Sequence, residues 1–295
     1  MPPAGSGLAG ECSGWGLGFG RRPSRPRLSA NSGCGQPGTS SVTGVDQVAA
    51  YLDQTRAFGK LIGGNDQSAP VPSCPGWNLG QLFRHVGRGD RWAAQIVRDR
   101  LNSFLDPRNV AGGKPPAAVD DAIAWLQDGA QLMVDAVEQA GAETPVWTFL
   151  GPRPAHWWVR RRLHEVVVHR ADAAIALGQQ FVLEPEIAAD GISEFLERIA
   201  VQAGHDGAPL PIEDGDTVHL HATDPGLGDV GEWTAAVEDG HITWSPEHGK
   251  GTVAVRGGAA ELLLAMTRRV SVPDTGIEVF GDQAVWQKWL ERTPL

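Results

Sequence analysis

Beyond about residue 44, apolar residues recur at helical spacing through the first half of the chain. Val45, Val48, Ala49 and Leu52 form one stripe, Phe58 and Leu61 lie near its end, and Gly63 and Gly64 stop it. A Val-Pro-Ser-Cys-Pro-Gly-Trp turn follows at residues 71–77. Asn78 then stands as an N-cap with Gln81 three residues later, the pairing of a capping box. Leu79, Leu82, Phe83, Val86, Ala93 and Ile96 carry that second helix to about Leu101. A third helix is predicted from Val119 to Ala140 on Ile123, Leu126, Leu132, Met133 and Val137. The fourth begins after Pro154 and runs to Gly178, a residue suited to a left-handed C-cap. Four successive amphipathic helices predict a four-helix bundle.

The pattern changes after Gly178. One more helix spans about Pro185 to Gln202, and short alternating runs follow near Thr217–Ala222, Trp233–Val237, His241–Trp244 and Thr252–Val255. These runs predict an antiparallel sheet. A helix around Ala259–Thr267, a strand at Ile277–Phe280 and a helix from Gln283 to Glu291 complete a second, α+β domain. The expected organisation is therefore a tail over 1–44, a helical bundle over 45–182 and an α+β domain over 183–295, with the boundary between Gly178 and Glu186.

The first 44 residues are rich in Gly, Pro and Ser and lack periodicity, so disorder is expected there. Four arginines (Arg21, Arg22, Arg25, Arg27) against Glu11 give this stretch a charge of +3, leaving -13 of the total -10 on the remainder. An export signal is not expected, because the charged cluster follows an apolar stretch already cut by glycines. With 41% hydrophobic and 20% charged residues, the chain reads as a soluble globular protein. Its acidity argues against nucleic acid or an anionic membrane as partner, since such surfaces bind clustered Lys and Arg. Three scattered cysteines (Cys12, Cys34, Cys74) make neither a disulfide framework nor a metal knuckle. A reducing, cytoplasmic setting is the expectation.

Candidate chemistry gathers on two helices. His85 lies between Leu82 and Val86, toward the apolar side of the second helix. On the fourth helix Glu165 and His169 are spaced i, i+4, within a stripe of Trp158, Arg162, Glu165, His169, Asp172 and Ala176 that borders the core. Two imidazoles and a carboxylate from facing helices would supply three ligands and leave an open position, the composition of a catalytic zinc site, with Arg162 or Asp172 behind them. A histidine on an apolar face is more often a satisfied core residue, and an isolated Glu-x-x-x-His pair is more often solvated. Spacing alone leaves both readings open. Cys74 reads as a packing residue rather than a nucleophile. His156, His164, His205, His219, His221, His241 and His248 read as structural or surface residues.

The stretch VPSCPGWNLGQLFRHVGRGDRWA, followed much later by HEVVVHRADAAIALG, resembles the paired signature of the mycothiol-dependent maleylpyruvate isomerase family, a branch of the DinB-like metalloprotein superfamily. The resemblance covers Val45 to the C-terminus. It implies a divalent metal, most often zinc, held by His85, Glu165 and His169, and a small α+β C-terminal domain whose Leu-rich helix ends in an arginine facing the pocket. That helix is ELLLAMTRRV here. Arg269 matches the family's catalytic arginine, and Arg268 stands where a glycine is common.

The chemistry implied is that of a low-molecular-weight thiol such as mycothiol, bound at the metal as a thiolate. In the namesake reaction it adds to the cis double bond of maleylpyruvate, allows rotation and leaves to give the trans isomer, with Arg269 holding a substrate carboxylate. Isomerisation, S-transfer to another small electrophile and metal-assisted hydrolysis all fit this implied site. Two other classes stand beside it: a non-catalytic metal-binding or ligand-sensing module, and, ranked lower, a 2-His-1-carboxylate iron oxygenase.

Overall fold

The computed structural model describes residues 44–204 and 209–293. The expected tail, save Gly44, lies outside the described residues, as do Cys12, Cys34 and His205. The first helix, α1 (Gln47–Gly63), starts two residues later than the apolar stripe because Asp46 is its N-cap and accepts from the Ala49 amide at 3.0 Å. In α2 (Leu79–Arg98) the predicted capping box is formed: Gln81 N donates to Asn78 Oδ1 at 2.8 Å and Asn78 N to Gln81 Oε1 at 2.9 Å. Helix α3 spans Val119–Ala140, and a two-stranded hairpin, β1 (Pro145–Val146) and β2 (Arg153–Pro154), leads into α4 (Trp157–Ala176). Gly178, just past α4, has φ +61°, the left-handed conformation expected of it.

Within the helical N-terminal region α2 lies against α3, and α1 against both α3 and α4. Gly87 lets α2 and α3 approach closely, since a Cβ there would stand 2.2 Å from the Trp125 ring. Helix α4 is buried almost all round. It has α1 and α2 on one side and α5 (Pro185–Gln202) on another. This is why its sequence shows no clean polar face.

The second region carries a five-stranded sheet in the order β5-β4-β3-β6-β7, built from β3 (Thr217–Ala222), β4 (Glu232–Glu238), β5 (His241–Ser245), β6 (Val253–Gly257) and β7 (Glu278–Gly281). Three of its pairings are antiparallel, as expected, but β3 and β6 are parallel, so the sheet is mixed. The reason is topological: β6 does not fold back on β5 but crosses to the far side of β3. Helices α6 (Ala259–Met266) and α5 cover one face, where Val218, Leu220, Trp233, Ala235 and Val237 are buried and Trp233 Nε1 donates to Ser193 Oγ at 2.9 Å. Helix α7 (Gln283–Arg292) closes the described chain.

Buried charge ties α4 to α5. Asp190, 1% exposed, lies 2.7 Å from His164 Nε2 and accepts from Arg160 Nε at 3.0 Å, while Arg161 donates to Glu194 at 2.7 Å. Burial alone would raise the Asp190 carboxyl, but its hydrogen bond with His164 and the Arg160 charge outweigh that and hold it well below the usual carboxylate range. A carboxylate depressed in the folded state contributes stability above its unfolded value of about 3.9, and that contribution is lost as pH falls below it. Asp190→Asn is expected to cost about 3 kcal/mol at pH 7. Denaturant titrations at pH 7 and pH 3 should show that the variant loses less stability on acidification than the wild type.

Candidate metal centre

Two helices and one turn build the centre. His85 projects from α2, and Glu165, His169 and Asp172 share one face of α4. His85 Nε2 lies 3.1 Å from Glu165 Oε1, and His169 Nε2 lies 3.4 Å from the same oxygen. One ligand atom from each of the three residues falls within 4.8 Å of the others. Cys74, His169 and Asp172 satisfy the same distance criterion. In that second group, however, Asp172 already answers Arg269, and a metal there would have to displace the guanidinium.

Asp172, fully buried, is the hub behind the centre. It lies 2.8 Å from His169 Nδ1, and it accepts from Ser73 Oγ at 2.6 Å, Arg269 Nε at 2.9 Å and Cys74 Sγ at 3.5 Å. With Nδ1 turned to this carboxylate, His169 Nε2 is the ring atom that faces Glu165 and His85 and would serve as ligand to a metal, the arrangement of a ligating histidine with its orienting carboxylate. Glu165 is divided in the same way: Oε2 accepts from Arg161, while Oε1 faces both imidazoles.

The electrostatics follow from burial and these contacts. Burial pushes His85 below the ordinary histidine value, since the neighbouring Glu165 only partly offsets it. His169 is moved the other way, because the hydrogen bonds with Asp172 and Glu165 outweigh burial. Glu165 and Asp172 both remain ionised: burial opposes this, but Arg161 and His169 hold the first well below its usual range, and His169 and Arg269 hold the second.

Sequence reasoning singled out His85, Glu165, His169, Asp172 and Arg162, and the structure brings all five within one buried network. Arg162 donates Nε to Asp90 at 2.8 Å and Nη2 to the Val86 carbonyl at 3.0 Å, with Nη1 4.0 Å from Glu165. Asp90, Arg161 and Ser73 were not singled out. Only Arg161 carried a local signal, its i, i+4 spacing to Glu165. Arg269 stands beside the centre, its guanidinium engaged by both oxygens of Asp172 and by the Thr267 carbonyl. Arg268 is exposed at φ +60°, a left-handed position after α6 that a glycine occupies without strain. Cys74 is buried at 1% exposure.

Two cavities flank these residues. One, between α4, α5 and α6, is lined by His169, Glu165, Arg198, Phe195, Leu263 and Arg269. The other opens on His85 from the side of Trp77 and Arg88. No helix among the described residues is long and apolar enough to cross a membrane.

Residues 48–174 match the mycothiol maleylpyruvate isomerase N-terminal domain, and residues 186–288 match the C-terminal domain of the same family. An uncharacterised protein found in two strains of Mycobacterium tuberculosis is 25% identical over 176 residues, 57% of this chain and 88% of that protein. The crystal structures of the mycothiol-dependent maleylpyruvate isomerase and of a mutant of it superpose with a TM-score of 0.47 at 16% identity, covering 79% of this chain and 91% of theirs. The two domain matches together span most of the chain and its motifs, and this chain belongs to the mycothiol-dependent maleylpyruvate isomerase family.

Proposed function

We propose that this protein is a divalent-metal-dependent enzyme that uses a low-molecular-weight thiol, mycothiol or a close analogue, to isomerise or to S-transfer onto a small electrophile bearing a carboxylate. Helices α1 to α4 form a DinB-like four-helix bundle that holds the metal, residues 183–295 form the second domain, and the substrate enters the cavity between them. The observation that carries the reading is the division of labour around His169: Asp172 takes Nδ1, and Nε2 is left facing Glu165 and His85. That donor set, two imidazoles and one carboxylate in a largely buried pocket, is of the kind that zinc takes with three protein ligands.

When bound, such an ion supplies Lewis acidity that favours a thiol as its thiolate at neutral pH. The chain's own residues do the rest. His85, Glu165 and His169 would hold the ion, Arg161 engages the Glu165 carboxylate through its second oxygen, and Asp172 would orient His169 through Nδ1. Arg269 reaches from the C-terminal domain to Asp172 and so ties that domain to the geometry of the centre. Phe195 and Leu263 exclude water from the cavity wall. Arg198 lines the cavity as the cation placed to meet a carboxylate on the substrate, and Arg269 beside it is held by Asp172.

Elemental analysis of protein purified without chelator tests the reading, followed by a maleylpyruvate isomerisation assay with mycothiol. Stoichiometric divalent metal, and turnover that needs both metal and thiol, are expected. Metal without turnover on any thiol and electrophile pair would leave a non-catalytic metal-binding module. Metal-free protein of unchanged fold would overturn the centre itself.

A further inference from the structure

A second cluster of metal-ligating side chains lies on the far face of the C-terminal sheet, away from α5 and α6. It arises from the topology. Strand β5 runs antiparallel to β4, β4 antiparallel to β3, and β6 parallel to β3, so β5 and β6 point the same way. Residues 246–252 must therefore travel back along the sheet and cross β4 and β3 to start β6. The crossing is close: Thr234 Oγ1 donates to the Glu247 carbonyl at 2.9 Å, and a Cβ on Gly249 would stand 2.6 Å from that hydroxyl. It lays His248 over the alternate residues His219 and His221 of β3 and over Glu232 of β4, the cross-strand partner of His221.

The three imidazoles converge on one carboxylate. His219 Nε2 lies 2.7 Å from Glu232 Oε2, His221 Nδ1 lies 2.5 Å from Oε1, and His248 Nδ1 lies 3.4 Å from Oε1. The His219 and His248 rings meet edge to face with centroids 4.8 Å apart. We propose that His219, Glu232 and His248 form a second metal site, for a divalent transition ion of the zinc class, with His221 orienting the Glu232 carboxylate. Their ligand atoms lie within 4.8 Å of one another. Tetrahedral zinc with bonds of about 2.1 Å sets its ligand atoms about 3.4 Å apart, so small side-chain shifts close the site. Imidazole with carboxylate selects zinc, nickel or cobalt over calcium and magnesium, which take oxygen donors.

The position is also informative. His219 is buried and Glu232 nearly so, whereas the His248 side chain is 76% exposed on the crossover. Two ligands are thus fixed on the sheet and the third arrives on a loop. The ion would clasp that loop to β3 and β4 and leave its fourth position to water. This site shares no residue with the α2–α4 centre.

Cobalt titration of the full-length protein, followed by its visible absorption and by elemental analysis, tests the proposal. His248→Ala changes an exposed side chain and should leave the fold intact. It is expected to lose one equivalent of bound cobalt relative to wild type, and His221→Ala to weaken that equivalent about 10–100-fold. His241→Ala, outside the cluster, should bind as wild type does. The same difference should persist in a His85→Ala background, which separates this site from the bundle centre. Equal cobalt stoichiometry and affinity in wild type, His248→Ala and Glu232→Gln would overturn it.

Discussion

His169→Ala is expected to abolish metal-dependent turnover, lowering kcat/KM with saturating thiol by about 10³-fold or more. The size follows from the chemistry the proposed ion would supply: Lewis-acid stabilisation is worth several kcal/mol, and each 1.4 kcal/mol or so is a factor of ten in rate. His169 is the residue whose loss does most damage because it is bound at both ends. Its Nε2 faces Glu165 and its Nδ1 faces Asp172, which also holds Arg269 from the other domain. Without the ring, the proposed centre would keep two ligands and Asp172 would lose its contact with it. Asp172→Asn provides the graded comparison. It keeps all three ligands but can no longer fix the tautomer, so metal affinity should fall about 10–100-fold with part of the activity recoverable by added metal. Metal content and kcat/KM measured together on both variants check the ranking. Full activity in metal-free His169→Ala protein would sink it.

The helical spacing and caps made the N-terminal region legible, and α3 and α5 run between the residues the pattern indicated. Local rules suffice there, because a capping box or a left-handed glycine acts within one turn of chain. What could not be read was set by long-range contacts. The parallel pairing of β3 with β6 depends on a crossover that no strand pattern encodes. That crossover also brings His248 to His219 and Glu232, residues that individually read as surface or structural. On α4 the amphipathic reading assumed a solvent face, yet Arg161, Arg162, His164 and Asp172 are all buried. Partners such as Glu194, Asp90, Asp190 and Arg269 come from other elements, so only the pairs within α4, Arg161 and Arg162 with Glu165 and His169 with Asp172, carried a local signal. Spacing alone placed Glu165, His169 and Asp172 on one stripe of α4, and resemblance gave them a ligand role; that stripe faces α2 in the structure.

Asp90→Asn should be the most destabilising single change away from the ligands, at roughly 3–5 kcal/mol, which for a protein of this size lowers Tm by roughly 10 °C. Asp90 and Arg162 are both fully buried, on α2 and α4, and Arg162 Nε donates to Asp90 at 2.8 Å. The helices meet closely there because residue 89 is glycine; a Cβ would stand 2.7 Å from Arg162 Nη1. A neutral amide keeps the shape but leaves the guanidinium buried with one backbone carbonyl and a carboxylate 4.0 Å away. Tyr51, whose phenol burial and then the Asp90 charge push above its ordinary value, adds no compensating charge. The penalty comes from stranding a charge, not from the worth of the pair, so Asp90→Leu combined with Arg162→Met should recover much of the lost stability. The rescued protein should still bind metal more weakly than wild type, because Arg162 also stands behind Glu165 Oε1. Thermal melts of the single and double variants, with metal titrations of the double, measure the two effects separately. A double variant no more stable than Asp90→Asn would show that the pair holds α2 to α4 by specific geometry, which apolar packing cannot replace.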